Sequence, residues 1–401
     1  MIEVDEASLP PLDVRSEVFA RDPHGVLRAT RLHGPLARSH RGIEVLAFDV
    51  CAAIFSSDAF ETLGTDHFRD KGAPQSLLDF VEHGLLLNVD RARHDRMRRV
   101  LVRAFTIRRI EEQRDIMRDV AHRLLEPMLD TGGGDLVADF TERYPMEVLC
   151  RLLGVPAEDI PAFHRAAIDL HLMGAVPFAP GFARLDEALG ELWCFVHGLL
   201  EARRVAPRGD FISALIGAQD GEARLTDQEI VWNLVNLLFA GQDTTRYQLA
   251  SAVRVLTGTP GVWDHLAVDE ASVPAALEEA MRLHPVSQFV VRRATAPAEA
   301  EGLRFPPGRR IILNLLAASR DPDAFPDPDR FDPGRGASYR LPFGWGLHHC
   351  LGHALARAEM IEALTLLARA TTDVEVAAGT EAPAASMLGG PESLPLTFRR
   401  R

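Results

Sequence analysis

The sequence predicts a mainly α protein, a single domain with one long central helix and small β-sheets at its edges. Three observations lead there. Apolar residues recur at helical spacing through most of 90–283 and again through 354–370. Thr226-Asp227-Gln228-Glu229 is a capping-box start, and the helical pattern behind it runs to residue 255, roughly 45 Å at 1.5 Å per residue. Strand signals are short and lie near the two ends of the chain, and no repeat, low-complexity linker or composition break divides residues 1–401.

In chain order, 10–34 holds prolines and charges and reads as irregular or weakly helical. Residues 36–40 and 43–48 read as two strands around an Arg41-Gly42 turn, with Asp49 as the N-cap of a helix through Ile54. A short helix is expected over 76–85, and a strong helical pattern covers 90–120 with a break at Thr106. Gly132-Gly133-Gly134 interrupts it. Helices over 142–153, 157–172 and 184–204 lead into the long one, and another at 273–283 stops before Pro285. Strands return at 289–294, 303–305 and 310–313, the last two around Pro306-Pro307-Gly308. Residues 321–339 form a polar meander. One helix and strands at 374–376 and 394–398 finish the chain.

Bulk properties narrow the class. A net charge of −13 argues against non-specific nucleic-acid binding. Four cysteines without repeated spacing fit a reducing compartment better than a disulfide framework. The first residues lack the basic and apolar regions of a signal peptide, and no run approaches the roughly 20 apolar residues of a membrane span. The expectation is a cytoplasmic, bacterial, globular protein with no nucleic-acid or membrane partner.

Three stretches carry chemistry. In Phe343-Gly344-Trp345-Gly346-Leu347-His348-His349-Cys350-Leu351-Gly352, glycines flank one cysteine ahead of an apolar helix. Glycine lets a backbone approach a flat group closely, and a helix start favours a thiolate. Cys350 alone fits a small buried apolar residue equally well. Zinc is a further reading, because His348, His349 and His353 crowd around it, but zinc usually needs a second ligand pair and Cys51, Cys150 and Cys194 stand apart. Within the long helix, Ala240-Gly241-Gln242-Asp243-Thr244-Thr245 puts a glycine and two β-branched hydroxyls where a helix former is expected. Thr244 can bond back to the Ala240 carbonyl and open a polar groove. Residues 91–109 hold eight arginines against Asp95, with His94, Met97, Arg98 and Leu101 on one face.

Taken together and in order, these stretches resemble the cytochrome P450 family. F-G-x-G-x-H-x-C-x-G is similar to its haem-thiolate loop, and A-G-x-D-T-T to the helix crossing the distal haem face. Glu279-Ala280-Met281-Arg282 is similar to its E-x-x-R, whose partner arginine lies in the meander, here read as Arg330. The resemblance runs from about Arg91 to Arg357 and is weakest in the N-terminal third.

What the resemblance implies is specific. Cys350 would be the axial ligand to the iron of haem b (iron protoporphyrin IX), with Phe343, Gly344, Gly352, Ala240 and Gly241 against the cofactor. His94, Arg98, Arg292 and His348 would hold its propionates, since charge-assisted bonds to carboxylates are strong. Thr244 would hold bound dioxygen and Asp243 would relay protons. Glu279, Arg282 and Arg330 would lock the proximal fold. Arg96, Arg99 and Arg103, with Arg108 and Arg109, would help dock an acidic ferredoxin-type donor served by an NAD(P)H-dependent reductase.

The expected activity is therefore monooxygenation, the hydroxylation or epoxidation of a small apolar organic substrate with O2 and two external electrons. Oxidative coupling or desaturation, and a non-catalytic haem-binding protein of the same fold, are the rivals. By resemblance the pocket draws on 60–87, 170–180, 239–240, 286–290 and 387–388, with Ser287, Gln288 and His171 as candidate polar anchors. A terpenoid, steroid, polyketide or aromatic compound would fit it.

Overall fold

Residues 10–34 take the helical side of the expectation, with two short helices at Glu17–Arg21 and Pro23–Arg31. The computed structural model describes residues 1–174, 179–219, 224–336, 341–381 and 386–401. Asp22 caps helix α1 (Pro23–Arg31) by accepting from the Gly25 N–H at 2.8 Å, and Pro23 occupies the first turn, where no donor is needed. Both signals stand in the sequence, so local capping outweighs the proline and charge content. Strands β1 (Leu36–Ser39) and β2 (Gly42–Val45) form the expected hairpin, Ser39 opposite Gly42. A Cβ on Gly42 would lie 2.3 Å from the Arg310 carbonyl oxygen, and its φ is 139°; the glycine admits the neighbouring strand.

Helix α2 (Phe48–Ser56) begins earlier than expected. Ala47 is its N-cap and Asp49 lies in its first turn. The Phe48 N–H donates to Asp321 Oδ2 at 2.7 Å, so a carboxylate from the distant meander does what Asp49 was expected to do. After the short β3 (Phe60–Glu61) come α3 (Gln75–His83) and α4 (Arg91–Ala104), the latter capped by Asp90. Thr106 breaks the pattern as expected, capping a single short helix before α5 (Arg114–Thr131). Gly132, at φ 74°, ends α5, and the glycine triplet then becomes strand β4 (Gly133–Asp135), close against Leu396.

Helices α6 (Tyr144–Leu153) and α7 (Phe182–Val205) lead to α8 (Asp227–Gly258). The capping box is present: Thr226 Oγ1 accepts from Glu229 N at 3.1 Å, and Thr226 N donates to Glu229 Oε2 at 3.0 Å. The 32 residues of α8 span about 48 Å. It packs on α3, α6 and α7, on α9 (Val273–Leu283), and later on α10 (His353–Ala370), which makes it the axis of the helical core.

The edges are sheet. Strands β5 (Phe289–Ala294), β6 (Leu303–Phe305) and β7 (Arg310–Asn314) follow α9. Five strands line up in the order β1-β2-β7-β5-β3, with Ile43 beside Ile311 and Val291 beside Ile312. Their apolar face buries Ile43, Val45, Ile311 and Leu313 against α2. Strands β8 (Thr371–Val376) and β9 (Pro395–Arg400) form a second sheet with β4, in the order β8-β9-β4. The meander begins as expected at Asp321, and its last residues lie outside the described ones.

Candidate active site

The cysteine loop is a tight, glycine-dependent turn held at both ends. Cys350 N donates to the Phe343 carbonyl at 2.8 Å, and Gly344 and Gly346 have φ 69° and 67°. A Cβ on Gly346 would come within 2.5 Å of the Phe55 carbonyl oxygen, so the loop lies on the end of α2 only because no side chain is there. Arg98 Nη2 donates to the His349 carbonyl at 2.7 Å, which ties α4 to the same turn. The Arg357 guanidinium stacks 4.3 Å over the Phe343 ring while pairing with Glu278. Cys350 lies just ahead of α10, whose N-cap is Gly352. Burial pushes its thiol up; the Gly352 N–H, Arg98 and Arg357 pull the other way.

Basic side chains gather beside it against a single carboxylate among the described residues, Asp95. His94 is 1% exposed and its ring meets that of His348 edge-on, centroids 5.0 Å apart. Among the described residues His94 Nε2 and His348 Nδ1 are buried without partners. His94 Nδ1 lies 3.1 Å from its neighbour Asp95. Arg292 is 4% exposed, and among the described residues its guanidinium donates only to the Val291 carbonyl, at 2.9 Å. Burial pushes Arg292 down to about 10 and His348 to about 4, the latter helped by Arg292. Buried cations are normally paired. This set fits a ligand that brings carboxylates.

Helix α8 supplies the other wall. Its residues 230–235 are buried, yet Ala240 is exposed in mid-helix, and Gly241, Asp243 and Thr244 are partly so. Exposure inside a helix that packs on five others marks an internal opening. Thr244 Oγ1 donates to the Ala240 carbonyl at 2.7 Å, as the sequence led us to expect, without breaking the helix. Gly352 likewise has nothing within 4 Å of where a Cβ would sit. Gly241 differs: its Cβ would lie 2.8 Å from Leu149 Cδ1, so the glycine makes room for α6.

Two further features were not anticipated. Asp243 Oδ1 pairs with Arg246 Nη2 at 3.3 Å, and Arg246 Nη1 reaches Glu142 Oε2 at 3.6 Å. The D-x-x-R spacing was visible; Glu142 comes from the turn before α6 and had no local signal. In the proximal cluster, Arg282 forks onto Glu279 at 2.8 and 2.7 Å and donates to the Ser319 and Pro328 carbonyls. The second arginine there is Arg335, not Arg330. Arg335 Nε donates to Glu279 Oε1 at 3.1 Å, whereas the Arg330 side chain is 66% exposed and pairs with Asp332, contributing only its carbonyl. Pro333 and the Asp332 cap form a one-turn helix that swings Arg335 back onto Glu279.

The arginine stripe is also less open than its sequence. Arg93 and Arg96 converge on Glu229, and Arg91 pairs with Asp58 and Asp95. Arg96 therefore belongs to the capping box of α8 and not to a docking surface.

Comparison with known proteins agrees with this geometry. The cytochrome P450 family model matches residues 272–371. Mycinamicin IV hydroxylase/epoxidase of Micromonospora griseorubida is 36% identical over 76% of each chain. Cytochrome P450 monooxygenase PikC of Streptomyces venezuelae is 30% identical over 98% of this chain and 96% of its own. The structure of CYP109Q5 from Chondromyces apiculatus superposes with a TM-score of 0.84 at 26% identity, over 98% and 99% of the two chains. The chain belongs to the cytochrome P450 family. It is a P450 monooxygenase, an oxidoreductase whose cofactor is haem b. No described helix is long and apolar enough to cross a membrane.

Proposed function

We propose that this enzyme hydroxylates or epoxidises a small, mostly apolar organic substrate, taking two electrons from a ferredoxin-type donor and its NAD(P)H-dependent reductase. The observation that carries the cofactor placement is the basic set His94, Arg98, Arg292 and His348 beside Cys350, in which His94 and Arg292 are buried and, among the described residues, only Asp95 brings a carboxylate. These four would hold the two propionates and Cys350 the iron, with Phe343, Gly344 and Gly352 under the ring and Ala240 above it. When bound, the haem supplies dioxygen activation: O2, two electrons and two protons become one inserted oxygen atom and one water.

The chain's own part is proton and water management. Thr244, its hydroxyl proton parked on the Ala240 carbonyl, offers an oxygen that can accept a hydrogen bond at the exposed stretch of α8. Asp243, one residue before it and partly exposed, would take protons from solvent; Arg246 holds that carboxylate in place. The relatives named for hydroxylation, epoxidation and N-oxygenation support oxygen insertion over coupling or desaturation. Arg99 and Arg109 are the arginines of the stripe that would meet an acidic donor, with salt-dependent rates.

Two measurements test the reading. The reduced protein under carbon monoxide should show the red-shifted thiolate Soret band, and Cys350→His should lose it. Thr244→Ala should keep that band but spend NAD(P)H without product, at least roughly tenfold less coupled. Unchanged coupling would remove Thr244 from the relay.

A further inference from the structure

Helix α8 carries two asparagines three residues apart with opposite surroundings. Asn233 is buried, and its amide donates to the Glu229 and His83 carbonyls at 2.7 and 3.1 Å. Asn236 is partly exposed, and among the described residues its side chain makes no hydrogen bond. Asparagine is one of the weaker helix formers, behind alanine and leucine. Nothing inside the fold repays that choice at 236 as the two carbonyls do at 233.

Position explains it. Asn236, Ala240 and Thr244 follow i, i+4, i+8 and share one face. Asn236 is the first partly exposed residue after the buried run 230–235, and it lies on the face that carries the exposed Ala240. Along the axis, Asn236 stands about 6 Å before Ala240 and about 12 Å before Thr244. A neutral amide both donates and accepts, but it cannot offset a buried charge.

We infer that Asn236 is a specificity-determining residue that hydrogen-bonds a neutral hydroxyl or carbonyl on the substrate, some 12 Å along α8 from Thr244. The substrate is thus an apolar body bearing a neutral oxygen remote from the carbon to be oxidised. The inference rests on the proposed use of the internal opening at Ala240 as the substrate cavity. A site with an unpaired amide rejects the analogue that leaves it unpaired.

Cyclododecanol and cyclododecanone, set against cyclododecane, test it through the low-to-high-spin shift of the holoenzyme. The wild type should bind an oxygenated ring about fivefold tighter than the hydrocarbon, the size of one net hydrogen bond. Asn236→Leu should bring the three within roughly twofold, and Asn236→Ser, which keeps a short hydroxyl, should retain part of the preference. Equal binding by the wild type, or an unchanged ratio in Asn236→Leu, overturns the inference. The carbon monoxide band separates the two readings. Its absence from the wild type defeats the haem-thiolate placement, whereas a normal band without discrimination defeats only the role of Asn236.

Discussion

Arg335 shows how a single side chain settles what a motif leaves open. Pro328-Asp329-Arg330-Phe331 offered an arginine at a plausible distance, and only the turn at Pro333 shows that Arg335 reaches Glu279 instead. Arg335→Ala leaves the buried Glu279 one donor short, and three carbonyl contacts in the meander go with it. It should cost about 2–4 kcal/mol and weaken haem retention. Arg330→Ala removes an exposed pair and should stay within about 0.5 kcal/mol. Thermal unfolding of the two holoproteins checks the pair; equal losses would return the role to Arg330. Arg246→Leu acts on the chemistry instead. With Asp243 no longer held, product per NAD(P)H should fall roughly fivefold, the size of one partly buried charge pair, while the carbon monoxide band stays.

At the scale of the element, capping and periodicity were legible and cross-fold contacts were not. The capping box of α8, the Thr106 break and the Thr244 back-bond are local, so the residues that make them are neighbours in sequence. The start of α2 was misplaced because the acceptor of its first N–H, Asp321, is 273 residues away. Gly241 was legible as a helix weakness but not as a seat for Leu149, which arrives on another helix. That seat makes a prediction against propensity. Gly241→Ala should gain about 1 kcal/mol of helix preference, yet the 2.8 Å approach of Leu149 should make it destabilising by about 1–2 kcal/mol. Leu149→Ala in the same chain should recover much of the clash, so the double mutant is non-additive. Additive losses in urea unfolding would show that the two helices do not meet through this glycine.

Over the whole molecule, the active-site side was legible because its cofactor demands residue types, whereas the N-terminal side meets the rest through groups with no motif. His24 on α1 and His284, the C-cap of α9, meet edge-on with centroids 5.9 Å apart. Burial, then Arg320, depresses both, to about 4 and about 3. Arg28 and Arg254 add to this, while Asp22 and Asp329 oppose it at His24. Both rings are neutral in the fold at pH 7, but an unfolded histidine takes up its proton near pH 6.5. Below that, the unfolded chain binds more protons, so stability falls as pH drops from 6.5 toward 4, on the order of 3 kcal/mol for each ring by the end. Glu359, buried and held far above the carboxylate range, works in the opposite direction across this same range: from its raised folded pKa down to about pH 4.5 the fold keeps a proton that the unfolded chain has lost, which offsets about one ring. Across 6.5 to 4.5 the downward slope comes from His24 and His284 together with His348, which burial also holds at about 4, and Glu359 offsets part of it. The melting temperature should decline across that range, and His284→Gln should remove one proton's share of that slope, roughly 1.4 kcal/mol per pH unit, while leaving the value at pH 8 nearly unchanged. An equal slope in the variant would mean that the link between the N-terminal helix and the helical core is indifferent to these two rings.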